Sequence, residues 1–327
     1  MRKILLIFLL IINFSTINFS FANNFTIAPL IKEVKDSVVA IQSIKNANHT
    51  NNSIAGSGFI VSSDGYVVTN YHVIKDSKII KVISNIGIYD ALLVGYDNRI
   101  DIALLKISSD KEHSYVKFAD SSNIEVGDFI VAIGNPYGLG GTVTTGIISA
   151  LNRDINMTPY DNFIQLDAAI NRGNSGGPTF NMDGLVIGVN TAIISPTGGN
   201  IGLAFSIPAN DVKKSIDDLK NYGYVKRSWI GINIQPLDQN MLEAIDIKGY
   251  NGSVIITNIN PDSPALKYNL QIGDIIYAIN DKKINGVKDF IRIINNTNVK
   301  DIIYVHFLRK NIKHKLKLQT DQWPKIV

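Results

Sequence analysis

Cysteine is absent from the 327 residues, which excludes disulfides, thiol nucleophiles and cysteine-based metal sites in any compartment. No Gly-x-x-x-x-Gly-Lys-Ser/Thr phosphate loop occurs, so nothing in the chain points to ATP. No apolar run reaches the roughly 20 residues that a spanning helix needs. Charge is sparse too: charged residues make up 18%, the formal net charge is +4, and the lysines are spread rather than run together. That balance gives no electrostatic footprint for nucleic acid or a membrane surface. Low-complexity tracts and fixed-period repeats are also missing.

What is present starts at the first residues. Arg2 and Lys3 precede the apolar run Ile4 to Ile12, and the small residues Ser20 and Ala22 follow at cleavage spacing. This is the pattern of a secretory signal removed after Ala22. A retained anchor is the alternative, and the run is short for one. Removing residues 1–22 takes away two positive charges and no negative ones, leaving +2.

The rest is long enough for two or three domains, and a hydrophobic share of 45% suits a globular core. Runs such as GSGFIVSSDGYVVTN alternate Val, Ile and Thr with Gly and Asn turns, which reads as short strands and a mainly β body. The expected organisation is an arm at 23–36 with a helix opened by Ala28-Pro29 and a β-rich domain at 37–209. A pause at Asn123 to Asp128 splits that domain into two units, and two barrels would fit. A helix at 210–226 follows, with Val212, Ile216 and Leu219 on one face, Asn210 or Asp211 as cap and Gly223 as stop. A second β-rich module at 227–320, containing the helical stretch VKDFIRIINN, precedes a tail at 321–327.

The stretch NRGNSGGPTF places Ser175 among glycines. A serine is a poor nucleophile unless a base takes its proton and a third group orients that base. Of the five histidines, His49 and His113 fall in polar loops, and His306 and His314 fall in the second module. His72 stands just after a strand, in VVTNYHVI. Asp101, in DNRIDIALLKI, is followed at once by an apolar strand, and a carboxylate entering a core needs a partner. Each has a plainer reading: a structural histidine, and an aspartate capping a turn as Asp97 or Asn98 does. A glycine-rich turn alone is also a plain loop. Gly173 and Gly176 permit unusual backbone angles, so the N–H groups of Gly173 and Ser175 can converge on a developing oxyanion. The combination in the order His72, Asp101, Ser175 favours an acyl-transfer site.

These words, with AGSGFIV, GNPYGLGGTVTTGIISALNR, FIQLDAAINRGNSGGP and NTAIISPTGGNIGLAFSIP, resemble the HtrA/Deg family of trypsin-like serine proteases across almost everything after the signal. The resemblance implies two perpendicular β-barrels with the triad between them. His72 would act as general base and acid, Asp101 would orient it, and Ser175 would attack the peptide carbonyl, with oxyanion donors at Gly173 and Ser175. It needs no cofactor or metal. Tyr71 stands where the family often has asparagine, Thr179 where a larger apolar residue is common, and the 45–53 loop is short for members that build large cages. The primary pocket would be lined by Ala169, Ile170, Ile201 and Leu203, apolar and without an acid, which favours small apolar residues before the scissile bond. Asp167 falls outside it. Arg153 matches a family arginine that relays occupancy of the second module, at a spacing one residue shorter.

RSWIGINI and PDSPALKYNLQIGDIIYAINDKKI resemble a PDZ domain, an α+β module that adds a C-terminal peptide as a strand. Ile230, Gly231 and Ile232 match its carboxylate loop, although a module that only spaces subunits is the plainer reading. Asn269 and Asn280-Asp281 replace glycine-type turns with residues that tolerate left-handed angles. The function implied is an ATP-independent periplasmic endopeptidase, part of a stress response, that degrades misfolded proteins. It would assemble as a homotrimer, with Phe25, Ile27 and Leu30 as contacts. A holder of unfolded chains and a membrane-anchored regulatory protease are the alternatives.

Overall fold

A computed structural model describes residues 26–45, 54–135, 141–194, 199–237, 241 and 249–324. The expected signal, Phe25 and His49 lie outside the described residues. Among those described, no helix is long and apolar enough to cross a membrane.

Each of the two β units closes into a six-stranded barrel. The first holds β1 (Val38–Ile44), β2 (Ile54–Ile60), β3 (Tyr66–Asn70), β4 (Ile79–Ser84), β5 (Gly87–Asp97) and β6 (Ile102–Ile107), in the order β1-β2-β3-β6-β5-β4. The second holds β7 (Phe129–Gly134), β8 (Thr142–Arg153), β9 (Phe163–Leu166), β10 (Pro178–Phe180), β11 (Val186–Ile193) and β12 (Ala204–Pro208), in the order β10-β11-β12-β9-β8-β7.

The unbroken apolar runs of β6 and β7 follow from strand period. On β6, Ala103 and Leu105 fill the first barrel, whereas Ile102 and Leu104 face a different cluster. On β7, Ile130 and Ala132 fill the second barrel, while Val131 and Ile133 join that same cluster. Strands apolar on both faces are buried on both faces. The shared cluster, with Phe59, Phe180 and Val189, therefore bonds barrel to barrel. Each fully buried side chain of this kind contributes about 1.5–3 kcal/mol.

The arm forms α1 (Ala28–Val34), whose Leu30 and Val34 are buried in this interbarrel cluster with Ile27 packed beside them. Leu30 is thus used inside the subunit, whereas Ile27 is only partly covered and lines a cavity with Phe129, Ile130 and Met182. After the short helical turn α2 (Tyr71–Ile74), the expected long helix is α3 (Ala209–Tyr222). It buries Val212, Ile216 and Leu219 and stops at Gly223, left-handed at φ 75°. Its cap differs from expectation: Pro208 precedes the first turn, and no side chain caps it. Asn210 instead donates to Asp120 at 2.7 Å, and Asp211 accepts from Asn162 at 3.0 Å.

The second module is a sheet in the order β14 (Ile232–Pro236), β15 (Val254–Ile259), β16 (Ile275–Ile279), β18 (Ile302–Arg309), β19 (Ile312–Gln319), with β17 (Lys282–Lys283) paired to β16. Helices α4 (Pro264–Lys267) and α5 (Val287–Asn296) complete it. Asn269, Asn280 and Asp281 take φ of 63°, 50° and 61°, the left-handed angles that their glycine-like positions require. β20 (Asp321–Gln322), in the expected tail, pairs with β13 (Ser228–Trp229).

Candidate active site

Strand ends, and for Ser175 the loop between β9 and β10, carry the candidate residues to the seam between the barrels. Asp101 sits immediately before β6 in a left-handed conformation at φ 59°. Its backbone oxygen accepts from Asn70 Nδ2 and Tyr71 N, both at 3.0 Å, which fixes the turn beside α2. Its carboxylate then meets His72 twice, accepting from the backbone N at 2.8 Å and facing Nδ1 at 2.6 Å. An ionised carboxylate only accepts, so Nδ1 carries the hydrogen and Nε2 keeps its lone pair. Thr191 Oγ1, from β11 of the other barrel, donates to the same Asp101 Oδ2 at 2.9 Å. The turn-cap reading of Asp101 is thereby displaced. Asp97 does cap locally, accepting from Arg99 N at 3.2 Å, and also takes Ser215 Oγ and the Arg227 guanidinium.

The nucleophile loop is shaped by two left-handed glycines, Gly173 at φ 96° and Gly176 at φ 85°. Ser57, buried on β2, holds it from the first barrel. Ser57 N donates to Ser175 O at 2.8 Å, Ser57 Oγ donates to Gly173 O at 2.6 Å, and Asn135 N donates to Ser57 Oγ at 2.7 Å. With its carbonyl so held, Gly173 leaves its N–H without a hydrogen-bond partner among the described residues, and Ser175 N–H has none either. Two unpaired donors two positions apart in one loop suit an oxyanion hole. Ser175 Oγ reaches Thr191 O at 3.4 Å, and His72 Nε2 has no hydrogen bond among the described residues. Ser175 Oγ and His72 Nε2 thus share no hydrogen bond here, and such contacts commonly tighten when substrate binds.

Asn200 brings the expected pocket segments together. Its Nδ2 donates to Ala168 O at 3.1 Å and Ile170 O at 3.3 Å, while its Oδ1 accepts from Gly202 N at 2.8 Å. Ala169 and Ile201 are exposed there, Leu203 is half-buried, and Ile170 is buried. Asp167 Oδ1 accepts from Ile147 N at 2.7 Å, which gives this acid a backbone role. Arg153 lies exposed, with Nε donating to Gln165 Oε1 at 2.9 Å. Both departures at the core motifs have local reasons: Tyr71 stacks on Tyr96 at 4.1 Å between ring centres, and buried Thr179 donates to Asn190 Oδ1 at 2.6 Å. His113, expected in a polar loop, is buried instead against Tyr89, because β5 and the 108–116 segment close over it.

In the second module Gly231 is left-handed at φ 80°, and Ile230 and Gly231 use their carbonyls on Ala265 N and Asn260 N. Their N–H groups have no partner among the described residues. Ile232 pairs into the ladder opposite Ile259. β14 is the edge of the sheet, and a cavity of about 300 Å³ runs between it and α5, lined by Ile230, Ile232, Ile234, Phe290 and Ile294 among others. An open edge beside an apolar trough suits an added strand. Lys288 of α5 pairs with Asp154 and reaches Asn156 at 3.0 Å, tying module to protease domain.

Sequence reading missed Ser57, Thr191 and Asn200. Ser57 carries a faint signal, a serine between two glycines in AGSGFIV, but its partners are far off in sequence and no spacing reveals them.

Known proteins share the two-domain architecture. The trypsin-like peptidase domain family matches residues 56–189, and the PDZ domain family matches residues 228–320. A probable periplasmic serine endoprotease DegP-like of Bartonella henselae is 46% identical over 270 residues, 82% of this chain and 53% of the relative. Its namesake in Rickettsia conorii is 42% identical over 325 residues, 95% of this chain and 64% of the relative. The chain thus spans about half the length of the first of these relatives. Among solved structures, the HtrA-type protease AlgW with a decapeptide aligns with a TM-score of 0.81 at 30% identity, covering 92% of this chain and all of that one. A serine endoprotease from Yersinia pestis aligns at 0.70 with 32% identity, covering 92% and 99%.

Proposed function

This chain belongs to the HtrA-type proteases, and we propose that it is an ATP-independent serine endopeptidase of the bacterial periplasm that degrades misfolded proteins. The observation that carries the reading is the seam itself: His72 held twice by Asp101, with Ser175 and two unpaired N–H donors in one loop. Ser175 Oγ attacks the scissile carbonyl carbon while His72 Nε2 takes its proton. Charge that develops on the carbonyl oxygen falls to the N–H groups of Gly173 and Ser175. Asp101 steadies the imidazolium, which returns the proton to the leaving amine, and water releases the acyl group by the same route.

The exposed, apolar Ala169 and Ile201 beside half-buried Leu203 support cleavage after small apolar residues. The unpaired N–H groups of Ile230 and Gly231 support capture of peptide C-termini by the second module, with occupancy regulating cleavage. Export by a cleaved signal and assembly as a homotrimer complete the proposal. The relatives' periplasmic names favour the first, and family membership the second.

The deciding experiment compares the purified chain with its Ser175→Ala form on casein, an unfolded protein. Cleavage by the parent and none by the variant is expected. Persistent cleavage by the variant would refute the assignment of Ser175. Mass spectrometry of the periplasmic protein should find Asn23 at its start, and sedimentation should give three times the subunit mass.

A further inference from the structure

The cavity beside the expected carboxylate loop has a wall that the second module does not supply. Besides Ile230 and Phe290, it is lined by Arg99 and Tyr160 of the protease domain and by Trp323. The Arg99 guanidinium lies 4.9 Å from the Tyr160 ring centre and 4.3 Å from that of Trp323. Trp323 sits 6.0 Å from Trp229, whose next residue is Ile230. Arg99 is thus stacked at the loop end of the trough.

Stacking uses the faces of a guanidinium and leaves its in-plane N–H donors unspent. Among the described residues Arg99 has no ion-pair partner, and Asp97, two positions away, is committed to Arg227. Burial pulls the Arg99 pKa below the ordinary arginine value, with Arg227 adding repulsion and Tyr160 and Asp97 opposing. A cation stripped of part of its water, with an unspent fork of donors, is short of an anion. At the same end of the trough the N–H groups of Ile230 and Gly231 are also unspent. The trough is apolar, so an extended peptide fills it, and the anion such a peptide always brings is its terminal carboxylate.

We propose that Arg99, a protease-domain residue, binds the C-terminal carboxylate of the peptide held in the second module, together with the Ile230 and Gly231 N–H groups. The peptide site is then composite, built from both domains. The proposal rests on the reading of the second module as peptide-binding. Arg99 and Tyr160 also line a neighbouring cavity of about 380 Å³ that contains His72, Asp101 and Thr191, so the residue that grips the carboxylate is part of the partition behind the triad.

The test uses the full chain carrying Ser175→Ala, so that the probe survives. The probe is a fluorescein-labelled peptide of about ten residues without acidic side chains, ending in valine, as free acid and as C-terminal amide. The free acid should bind more tightly. Arg99→Gln should weaken free-acid binding about tenfold while changing amide binding less than about twofold, since a charge-assisted fork is lost. Arg99→Lys keeps the charge but not the fork, and should lie between. If the starting chain binds neither peptide, the peptide-binding reading falls and this proposal with it. If it prefers the acid and both Arg99 variants keep the same acid-to-amide ratio, the proposal alone falls. Should Arg99→Gln fail to fold, the ratio in Arg99→Lys decides: a reduced ratio supports the composite site, an unchanged one overturns it.

Discussion

The hydroxyl of Ser57 donates to the carbonyl oxygen of Gly173 across 2.6 Å, and the two residues belong to different barrels. That bond fixes the Gly173–Asn174 peptide plane, which lies between the two candidate oxyanion donors, so Ser57 steadies the loop segment that carries both. Ser57→Ala should lower kcat on a chromogenic peptide by about 10- to 100-fold with little change in KM, somewhat less than outright loss of a donor. It should also cost about 1–3 kcal/mol of stability, because Asn135 N and Gly173 O lose a buried partner. A KM effect without a kcat effect would contradict this positioning role.

Gly176 is left-handed, and a Cβ there would collide with Ser57 O and Thr69 Oγ1. Gly176→Ala should therefore do more than add the about 1–2 kcal/mol of left-handed strain. Thermal unfolding should show a lower midpoint, and casein cleavage should be lost even where the chain folds.

Thr191 is a second link across the seam. Thr191→Val keeps the shape and removes the hydrogen bond to Asp101 Oδ2. The pair is half-buried, so a fall of about 3- to 10-fold in kcat is expected, short of a full buried charge-assisted bond. Steady-state kinetics would show it, and unchanged kcat would count against a role for Thr191.

The ease of reading the site was uneven. His72 and Asp101 stood out because each lies next to a strand, Ser175 because it sits among glycines, and the three chemistries need one another. The barrels were legible because the β-branched runs repeat between turn residues. Ser57, Asn200 and Arg99 were not legible, since each acts on a segment tens of residues away and its local sequence is ordinary strand or turn. His113 was misread for a related reason: Lys111 and Glu112 make the segment look solvated, while the fold buries the ring between Tyr89 and Gly65.

That burial has a pH consequence. Burial, then Lys106 and Lys111, hold the His113 pKa below its ordinary 6.5. The unfolded chain therefore binds this proton more readily than the folded one. Its contribution to stability is complete above about pH 6.5 and is lost as pH falls through that value toward the folded pKa. Neither ring nitrogen has a hydrogen-bond partner among the described residues, so an apolar ring of similar shape fits. In His113→Phe, the urea midpoint should fall less between about pH 7.5 and 5.5 than it does in the parent.

Arg227 enters the second module and pairs with buried Asp97 on β5, where Ser215 Oγ also donates at 2.8 Å. Arg227→Met leaves that carboxylate buried without its cation. A loss of about 3–5 kcal/mol in chemical denaturation is expected, and Asp97→Asn in the same chain should recover part of it.

Three tethers of the candidate site cross the same seam: Ser57 to Gly173, Ser57 to Ser175, and Thr191 to Asp101. His72 and Asp101 come early in the chain, and Ser175 comes late. A chain emerging in order completes its first barrel before its nucleophile loop has anything to lean on. The site therefore becomes competent only once both halves have closed. A chain assembled this way carries no competent site for as long as it is itself unfolded.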